Sequence, residues 1–261
     1  MRLPNRQITN FTCVLALAAA PSAAFAQWLN VPTPGIPRLP DGKPNLTAPA
    51  PRMSDGRVNI SGIWQPTSRQ FLSIVSTGYD GKELPFQPWA EKLFHERRAN
   101  ESIDDPTSNC IPGGVPRSDA VPYPFKIVNA GKMVIILYEA VHGYRQIFTD
   151  GRDLPKDPNP TWMGYSIGHW EGDAFVAQTA GFNDHGWIDN DGRPATDAER
   201  VTERFERKDF GHMNIVITVD DPKAYTQPWT VTEAFKLLPD TELLEYVCGE
   251  NNKDLKHLVG K

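Results

Sequence analysis

Cysteine is scarce in this chain, which has three cysteines in 261 residues and no Cys-x-x-Cys pair. Cys13 lies in an apolar N-terminal segment, which leaves Cys110 and Cys248 in the rest of the chain. Two distant cysteines without a Cys-x-x-Cys motif argue against a thiolate metal site. An even pair is typical of a protein from an oxidising compartment. We expect a Cys110–Cys248 disulfide, and two separate buried thiols are the alternative.

Long hydrophobic runs are also missing. The segment Phe11–Ala20 is apolar but shorter than the roughly 20 residues that span a bilayer. Arg2 and Arg6 precede it, and Ala24-Phe25-Ala26 follows it as a small-x-small cleavage site. We therefore predict a signal peptide over residues 1–26, a periplasmic or secreted mature chain and no membrane insertion. A buried N-terminal helix is the alternative.

An excess of positive charge is absent too. Without residues 1–26 the chain keeps 25 basic and 32 acidic residues, a net charge of −7. Nucleic acids and anionic membranes bind basic surfaces, so neither is expected as a partner. The Gly-x-Gly-x-x-Gly and P-loop patterns do not occur, so we predict no cofactor. A small-molecule ligand is the expected partner, and the oligomeric state is left open.

The sequence contains no complete motif for a metal site or a hydrolase. His-x-His and His-Glu-x-x-His do not occur. His142, His169, His185 and His212 lie on or beside predicted strands, so three could meet in space, but we predict no metal. Ser166 stands in Gly-Tyr-Ser-Ile-Gly, the letters of a nucleophile elbow. The elbow requires a helix after the serine, and a hairpin follows instead, which argues against this role.

Proline and glycine, by contrast, are concentrated near the start of the mature chain. Arg38-Leu-Pro-Asp-Gly-Lys-Pro-Asn-Leu-Thr is echoed by Arg52-Met-Ser-Asp-Gly-Arg-Val-Asn-Ile-Ser, and each copy contains an Asp-Gly turn. Prolines follow the first copy and exclude it from a sheet interior. Gly62-Ile63-Trp64 follows the second copy and can begin a strand. We predict an extended arm over residues 27–57 and a folded domain over residues 58–261.

The folded domain has the pattern of an all-β protein. The segment 82–99 is the one good helix candidate, with Trp89, Leu93 and Phe94 at helical spacing. Short β-rich runs separated by turn residues fill most of the rest, which favours a single antiparallel β-barrel or a sandwich. After the strand that begins near Gly62, the predicted strands are Ile127–Val128, Met133–Val141, Tyr144–Thr149, Met163–Trp170, Ala174–Gly181, Arg200–Arg207, His212–Val219, Trp229–Leu237 and Leu243–Cys248.

Two resemblances support the barrel. Gly62-Ile63-Trp64 resembles the Gly-x-Trp at the first strand of lipocalin-type barrels, where the Trp closes one end. That resemblance implies an internal cavity for a lipophilic or aromatic ligand. The segments Tyr144–Arg152, Trp162–Ser166, Trp170–Asp173 and Asp209–Met213 are similar to those of a widespread group of exported bacterial proteins. The second resemblance implies export and a barrel, and no chemistry.

Ionisable residues interrupt several apolar strand faces. Side chains alternate between the faces of a strand, which places Glu233 among Trp229, Val231, Phe235 and Leu237. The same alternation places Glu203 with Val201 and Phe205, and Arg145 with Leu137 and Ile147. We take Glu203, Glu233 and Arg145 as candidate catalytic residues, with His212, which follows a Gly turn. A plain internal ion pair, or reversed faces, is the alternative.

Aromatic residues supply the candidate ligand contacts. They crowd the segment 162–187, and we predict binding by Trp162, Tyr165, His142, Tyr144 and Trp187, although many aromatic side chains simply fill a core. Two functions fit these observations. The first is an exported barrel that binds a small apolar or aromatic molecule. The second is an enzyme without an organic cofactor, a lyase, isomerase or hydrolase that uses carboxylate or histidine acid–base chemistry.

Overall fold

The structure is a computed structural model that describes residues 32–67, 84–140 and 143–250. Nine strands form a closed barrel in which each strand neighbours the next along the chain. This confirms the predicted all-β class and the single barrel. The strands are β1 (Gly62–Pro66), β2 (Phe125–Asn129), β3 (Met133–Tyr138), β4 (Tyr144–Phe148), β5 (Tyr165–Glu171), β6 (Ala174–Ala180), β7 (Arg200–Arg207), β8 (His212–Asp220) and β9 (Trp229–Leu237).

One pair of neighbouring strands departs from the antiparallel prediction. β4 and β5 are parallel, and their register contains two pairs, Ile147 with Ser166 and Phe148 with Ile167. The other strand pairs are antiparallel, including β1 with β9, which closes the barrel through Trp64 and Leu237. Parallel neighbours require a crossover, and residues 149–164 provide it in place of a tight turn.

The inward faces of the later strands follow the sequence alternation. Along β9, Trp229 to Leu237 alternate strictly between buried and exposed positions. The prediction that Leu137 shares the inward face of Arg145 and Ile147 was wrong, because Leu137 is 36% exposed. Arg145 and Ile147 are buried as expected. β3 ends at Tyr138 and β4 begins only at Tyr144, so the turn between them breaks the alternation that we had extended through it.

The predicted strand Leu243–Cys248 does not form. Residues 241–247 are irregular and lead into a turn at 248–250. A strand needs a free sheet edge, and β1 already occupies the outer edge of β9, so the closed barrel offers none there. This segment instead runs over the surface, where the backbone N–H of Leu244 donates to Glu139 Oε2 at 3.0 Å.

The predicted helix is present as α1 (Pro88–Ala99), and it buries Ala90 and Phe94. Trp89, which we placed on the apolar face, is 46% exposed and donates its indole N–H to the Lys223 carbonyl. A 3-10 turn (Pro106–Asn109) and the single-turn helix α2 (Arg117–Ala120) follow. Within the described residues, none of the helices has the length and hydrophobicity needed to cross a bilayer.

The repeated sequence units of the arm adopt the same local structure. Arg38 bridges to Pro44 and Arg52 to Val58, and each arginine donates to the carbonyl of the turn glycine four residues later. The two arginines then diverge in role, since Arg38 pairs with Asp240 and Arg52 with Asp173. The arm is therefore attached to the barrel surface at two separate places.

Trp64 lies in the middle of β1 and pairs with Phe125 of β2 and Leu237 of β9. Its side chain is fully buried, and its indole N–H donates to the Ile60 carbonyl at 3.0 Å. The Arg207 guanidinium lies over the ring, 4.9 Å from its centroid. Arg207 also donates to the carbonyls of Asn59 and Phe210, so it ties the entrance of β1 to the β7–β8 turn. Apolar side chains pack the interior beyond Trp64.

The predicted disulfide joins Cys110 to Cys248 across 138 residues of chain. It connects the irregular segment after β9 to the loop that carries the 3-10 turn and α2. In that loop, the residues from Gly113 to Asp119 are buried. The disulfide therefore anchors a loop whose central residues are buried against the barrel.

Candidate functional site

A network of hydrogen-bonded polar side chains lies inside the barrel around one arginine. We call it the Arg145 cluster, and its members are Asp119, Tyr138, Arg145, Ser166, Thr179 and Glu203. The Arg145 guanidinium is 2% exposed, and the carboxyl groups of Asp119 and Glu203 are fully buried. Buried charges are costly unless they are paired, so the arrangement of their partners decides what the cluster can do.

The guanidinium of Arg145 makes four hydrogen bonds within the cluster. Nε donates to Ser166 Oγ at 3.0 Å, and Nη1 donates to Asp119 Oδ2 at 3.3 Å. Nη2 donates to Thr179 Oγ1 at 2.6 Å and to a carboxyl oxygen of Glu203. Tyr138 completes the network, because its hydroxyl donates to Asp119 Oδ1 at 2.8 Å.

Strand alternation places most of these residues. Arg145 occupies a buried position of β4 between two exposed ones, and Ser166 and Thr179 face each other across the β5–β6 pair. Glu203 takes an inward position on β7, between the buried residues Val201 and Phe205. The sequence therefore predicted the inward direction of Arg145 and Glu203 correctly, and the fold brings the two together.

The cluster contains two carboxyl groups and one guanidinium. Burial raises the pKa of Asp119 well above its usual value, and the neighbouring Glu203 charge raises it further. Asp119 is therefore harder to ionise than an exposed aspartate. The Glu203 carboxyl forms an ion pair with the Arg145 guanidinium. Glu203 Oε1 is buried and has no hydrogen-bond partner among the described residues.

The burial of the cluster also affects its tyrosine and arginine. Burial raises the pKa of Tyr138 well above its usual value, and the Asp119 carboxyl adds to the effect. The pKa of Arg145 is raised by the two carboxyl groups, against the opposing effect of burial. Tyr138 is therefore a neutral donor and Arg145 a permanent cation.

A cleft of about 460 Å³ opens from the surface toward the cluster. Arg145 and Ser166 belong to both the cleft lining and the cluster, and they are its most buried lining residues. The side walls carry Tyr144, Phe148 and Tyr165. The volume falls within the range of small-molecule pockets, and the combination of aromatic walls with a few polar groups is typical of them.

The cleft exists because β4 and β5 separate. Their pairing stops at Ile147 and Ser166, so the preceding residues of both strands are not joined. Gly164 lies at this point with a φ of +66°, a conformation that favours glycine. An added Cβ would lie 2.7 Å from Thr179 Cγ2 and 2.9 Å from Phe182 Cε1. Glycine thus allows the chain to bend away from β4 while it stays packed on β6.

The aromatic residues of the cleft are held in place at the rim. The Phe148 and Tyr165 rings stack with centroids 5.4 Å apart. Arg152 lies 4.0 Å from the Phe148 ring centroid and donates to the Tyr165 hydroxyl at 2.8 Å. Tyr144, at the other end of β4 from Phe148, is 63% exposed, so its ring is available to a ligand. Of the predicted ligand-binding residues, Tyr144 and Tyr165 lie in this cleft.

Sequence reasoning missed Asp119. It lies in α2, on a loop whose Pro-rich sequence gives no periodic pattern from which a buried position could be read. The loop is held in place by the buried ion pair of Arg117 with Asp105 and by the Cys110–Cys248 disulfide. The expected disulfide at Cys110 did not indicate which acid of the loop would enter the barrel.

The other two candidate catalytic residues, Glu233 and His212, are not among the members of the Arg145 cluster defined above. Glu233 faces the interior from β9, 4% exposed and opposite Ile215. His212 lies at the start of β8, where its ring bonds to Asp209 at 2.8 Å and stays 42% exposed. His212 lies five residues before Ile217, the residue of β8 that pairs with Glu203. Five residues span about 17 Å along a strand. The fold therefore does not bring His212 to Arg145.

The remaining predicted ligand contacts lie elsewhere. The Trp162 ring is 6.1 Å from the His185 ring, outside the cleft lining that its neighbours form. Trp187 is buried, with the Arg97 guanidinium 4.4 Å from its ring centroid. His142 lies outside the described residues. In the described part of the chain, histidine, cysteine and acidic residues form no group of three or more that could hold a metal.

The chain was compared with known proteins. No protein-family model matches it, and no curated protein matches it significantly. The resemblance to exported bacterial proteins therefore stays a prediction, as does the signal peptide, which lies outside the described residues. The lipocalin resemblance is supported as far as the closed barrel and no further.

Proposed function

We propose that this protein binds a small molecule with an apolar or aromatic body. The observation that carries the proposal is the cleft between β4 and β5, where Tyr144, Phe148 and Tyr165 surround an opening that ends at Arg145. Aromatic rings provide a large contact area at low conformational cost, and the buried residues at the base provide orientation. We place the ligand in this cleft and not in a central cavity of the lipocalin kind, since the apolar core and the Arg145 cluster occupy the described interior.

The proposal includes export. A disulfide between Cys110 and Cys248 supports an oxidising compartment, where such bonds form and persist. The predicted signal peptide at residues 1–26 would deliver the chain to the periplasm or the medium. A binding protein in that compartment would meet small molecules before they enter the cell.

Ligand-observed NMR with a panel of single-ring aromatic compounds tests the binding function. We expect hits on the native protein that weaken about 2–10-fold in Tyr144→Ala, the range that corresponds to the loss of one aromatic contact. Trp89→Ala is the matched control, because Trp89 is also an exposed aromatic residue but lies on α1. Equal loss in both variants, or no loss in Tyr144→Ala, would contradict binding in the cleft.

An acid–base enzyme is the second candidate function. The observation that favours it is the pair of buried acids Asp119 and Glu203, both of which contact the Arg145 guanidinium, with burial raising the pKa of Asp119. Two acids whose environments separate their pKa values are a common acid–base arrangement in enzymes. An isomerase, lyase or hydrolase would require turnover of a cleft ligand. Turnover that disappears in Glu203→Gln while the ligand still binds would favour the enzyme over the carrier.

A further inference from the structure

Strand β4 has a neighbour on only one side for part of its length. All five of its residues pair with β3, but its register with β5 contains only Ile147 and Phe148. Among the described strands, residues 144–146 therefore have β3 on one side and no strand on the other. We call this segment the free edge of β4. Unpaired strand edges are templates for the backbone of another extended chain.

The turn between β3 and β4 shows which backbone groups the free edge offers. The N–H of Tyr138 donates to the carbonyl of Gly143 at 3.1 Å, so the backbone groups of Gly143 face β3. Alternation along β4 turns those of Tyr144 and Gln146 away from β3, and the first pair with β5 lies beside the C=O of Gln146. The N–H and C=O of Tyr144 and the N–H of Gln146 remain. In the described part of the chain, none of these three groups has a hydrogen-bond partner.

The free edge is accessible from solvent. Tyr144 is 63% exposed, and Gln146 is exposed as well. Both residues line the cleft of about 460 Å³ described above. A ligand in this cleft meets two N–H donors and one C=O acceptor of the backbone, without needing the buried side chains at the base. An extended peptide backbone offers the matching donors and acceptors, and strand addition to a free edge is a common mode of peptide recognition.

The outer face beside the free edge is apolar and aromatic. Tyr144 and Phe148 lie on the outer face of β4, and the exposed Leu137 lies opposite Tyr144 on β3. Residues opposite each other in paired strands share a face, so an added strand would place alternate side chains beside these groups. The side chains between them would point inward, as the buried Arg145 does. The site therefore favours aromatic or apolar residues that alternate with small ones.

We propose that the cleft binds short extended peptides whose backbone pairs with the free edge of β4. This inference rests on the proposed binding function and names its ligand class. The aromatic side chains of the peptide are the apolar body of the ligand and lie beside Tyr144 and Phe148. The backbone bonds to Tyr144 and Gln146 fix its orientation.

Three peptides test the backbone pairing on the native protein. They are acetyl-Tyr-Ala-Tyr-amide, the same peptide with an N-methyl group on the alanine, and the same peptide with an N-methyl group on the second tyrosine. Successive N–H groups of an extended chain point to opposite sides, so one methyl group lies against the free edge and the other points away from it. NMR titration gives a Kd for each. We expect one methylated peptide to bind about tenfold more weakly than the parent peptide, and the other to bind within about twofold of it.

The outcomes separate the inference from the function on which it rests. If both methylated peptides bind like the parent peptide, or if both are weakened equally, the inference is overturned. If single-ring aromatic compounds bind and the parent peptide does not, the inference is overturned and the binding function stands. If neither the compounds nor the parent peptide binds, both are overturned.

A proline at position 146 tests the protein side of the pairing. Gln146→Pro removes one N–H of the free edge, and proline is tolerated at strand edges where the N–H makes no bond. Gln146→Ala is the matched control, because it changes the side chain and keeps the N–H. We expect Gln146→Pro to bind the parent peptide about tenfold more weakly than Gln146→Ala does. Equal affinity would overturn the inference, and if Gln146→Pro does not fold, the methylated peptides decide the question.

A second copy of the chain could pair with the same edge. Size-exclusion chromatography of the native protein and of both position-146 variants tests this. We expect all three to elute as monomers. A dimer of the native protein and of Gln146→Ala that becomes a monomer in Gln146→Pro would show that a second copy occupies the free edge, which would overturn the inference.

Discussion

Arg145 shows how a single side chain can be both a structural and a functional element. A guanidinium in a barrel interior is tolerated because four hydrogen bonds surround it, and the ones to Asp119 and Glu203 join it to carboxyl groups. These bonds reach side chains on β5, β6 and β7 and on the α2 loop. One residue thus holds strands β4 to β7 together and ties the loop to them.

The raised pKa of Asp119 predicts how stability changes with pH. The pKa of Asp119 is raised in the folded protein above the unfolded value of about 4, so the folded state binds more protons between the two values. The free energy of unfolding therefore falls as the pH rises through that interval, by about 1.4 kcal/mol per pH unit for a fully protonated group. Asp119→Asn is expected to remove this part of the slope, as measured by urea unfolding from pH 5 to 8.

The control for this prediction is another acid with a different environment. Asp173→Asn removes an exposed carboxyl whose pKa is lowered by Arg52, so it is expected to keep the downward slope of the native protein. Glu199 is also buried with a raised pKa, so part of the slope is expected to persist in Asp119→Asn. A slope that is the same in Asp119→Asn and the native protein would show that Asp119 is ionised in the fold.

At the residue scale, alternation along β4 and β7 was sufficient to predict that Arg145 and Glu203 face inward. It was not sufficient to pair them, because pairing depends on which strands lie opposite each other across the barrel. Asp119 could not be predicted at all, since no local pattern describes a loop that is packed by its surroundings.

At the scale of elements, the junction of β4 and β5 decides where the surface opens. The two strands are parallel and share two residue pairs, which is the shortest register in the barrel. A crossover of residues 149–164 is needed to bring β5 alongside β4, and its last residues form one wall of the cleft. The opening is thus a consequence of topology, and Gly164 makes the required bend possible.

Substitution of Gly164 by alanine tests this explanation. The new Cβ would have both an unfavourable φ and contacts under 3 Å with Thr179 and Phe182. Gly131→Ala is the matched control, because Gly131 has a φ of +80° and open space around it. We expect about 1–2 kcal/mol of destabilisation in Gly131→Ala from the backbone alone, and about 1–3 kcal/mol more in Gly164→Ala from overpacking.

Urea unfolding of both variants gives the comparison. Equal destabilisation would show that Thr179 and Phe182 move aside without cost and that only the backbone conformation matters at Gly164. A larger loss in Gly164→Ala, with weaker binding of the aromatic panel, would connect the bend to the shape of the cleft.

At the scale of the whole molecule, two long-range connections join the irregular segments to the barrel. The arm is tied through Arg38 and Arg52, and the α2 loop is tied through the disulfide. The disulfide closes a loop of 138 residues that contains strands β2 to β9. It therefore links the segment before β2 to the segment after β9. Loss of the disulfide is expected to lower the free energy of unfolding of the whole protein and to change the position of Asp119.

Removal of the disulfide is expected to cost about 2–5 kcal/mol, in keeping with the large loop that it closes. Cys110→Ser/Cys248→Ser tests this, with the free energy of unfolding measured in urea. Reduction of the native protein should lower its stability to that of the double variant. The double variant itself should not respond to the reductant. No change on reduction of the native protein would mean that native packing alone orders the α2 loop.

The sequence by itself determined the features that follow from a local pattern or from composition. Alternation fixed the inward faces of β7 to β9, proline and Asp-Gly turns fixed the arm, and two remaining cysteines fixed the disulfide. Each of these follows from neighbouring residues or from simple counting.

Tertiary structure decided the rest. The closure of β1 on β9 left no edge for a strand at 243–248, and the parallel crossover opened the cleft. The burial of Asp119 beside Arg145 depends on residues that are 26 positions apart in sequence. Such contacts depend on the geometry of the closed barrel, which local sequence patterns do not contain, and for this reason the cleft and the Arg145 cluster became visible only in the fold.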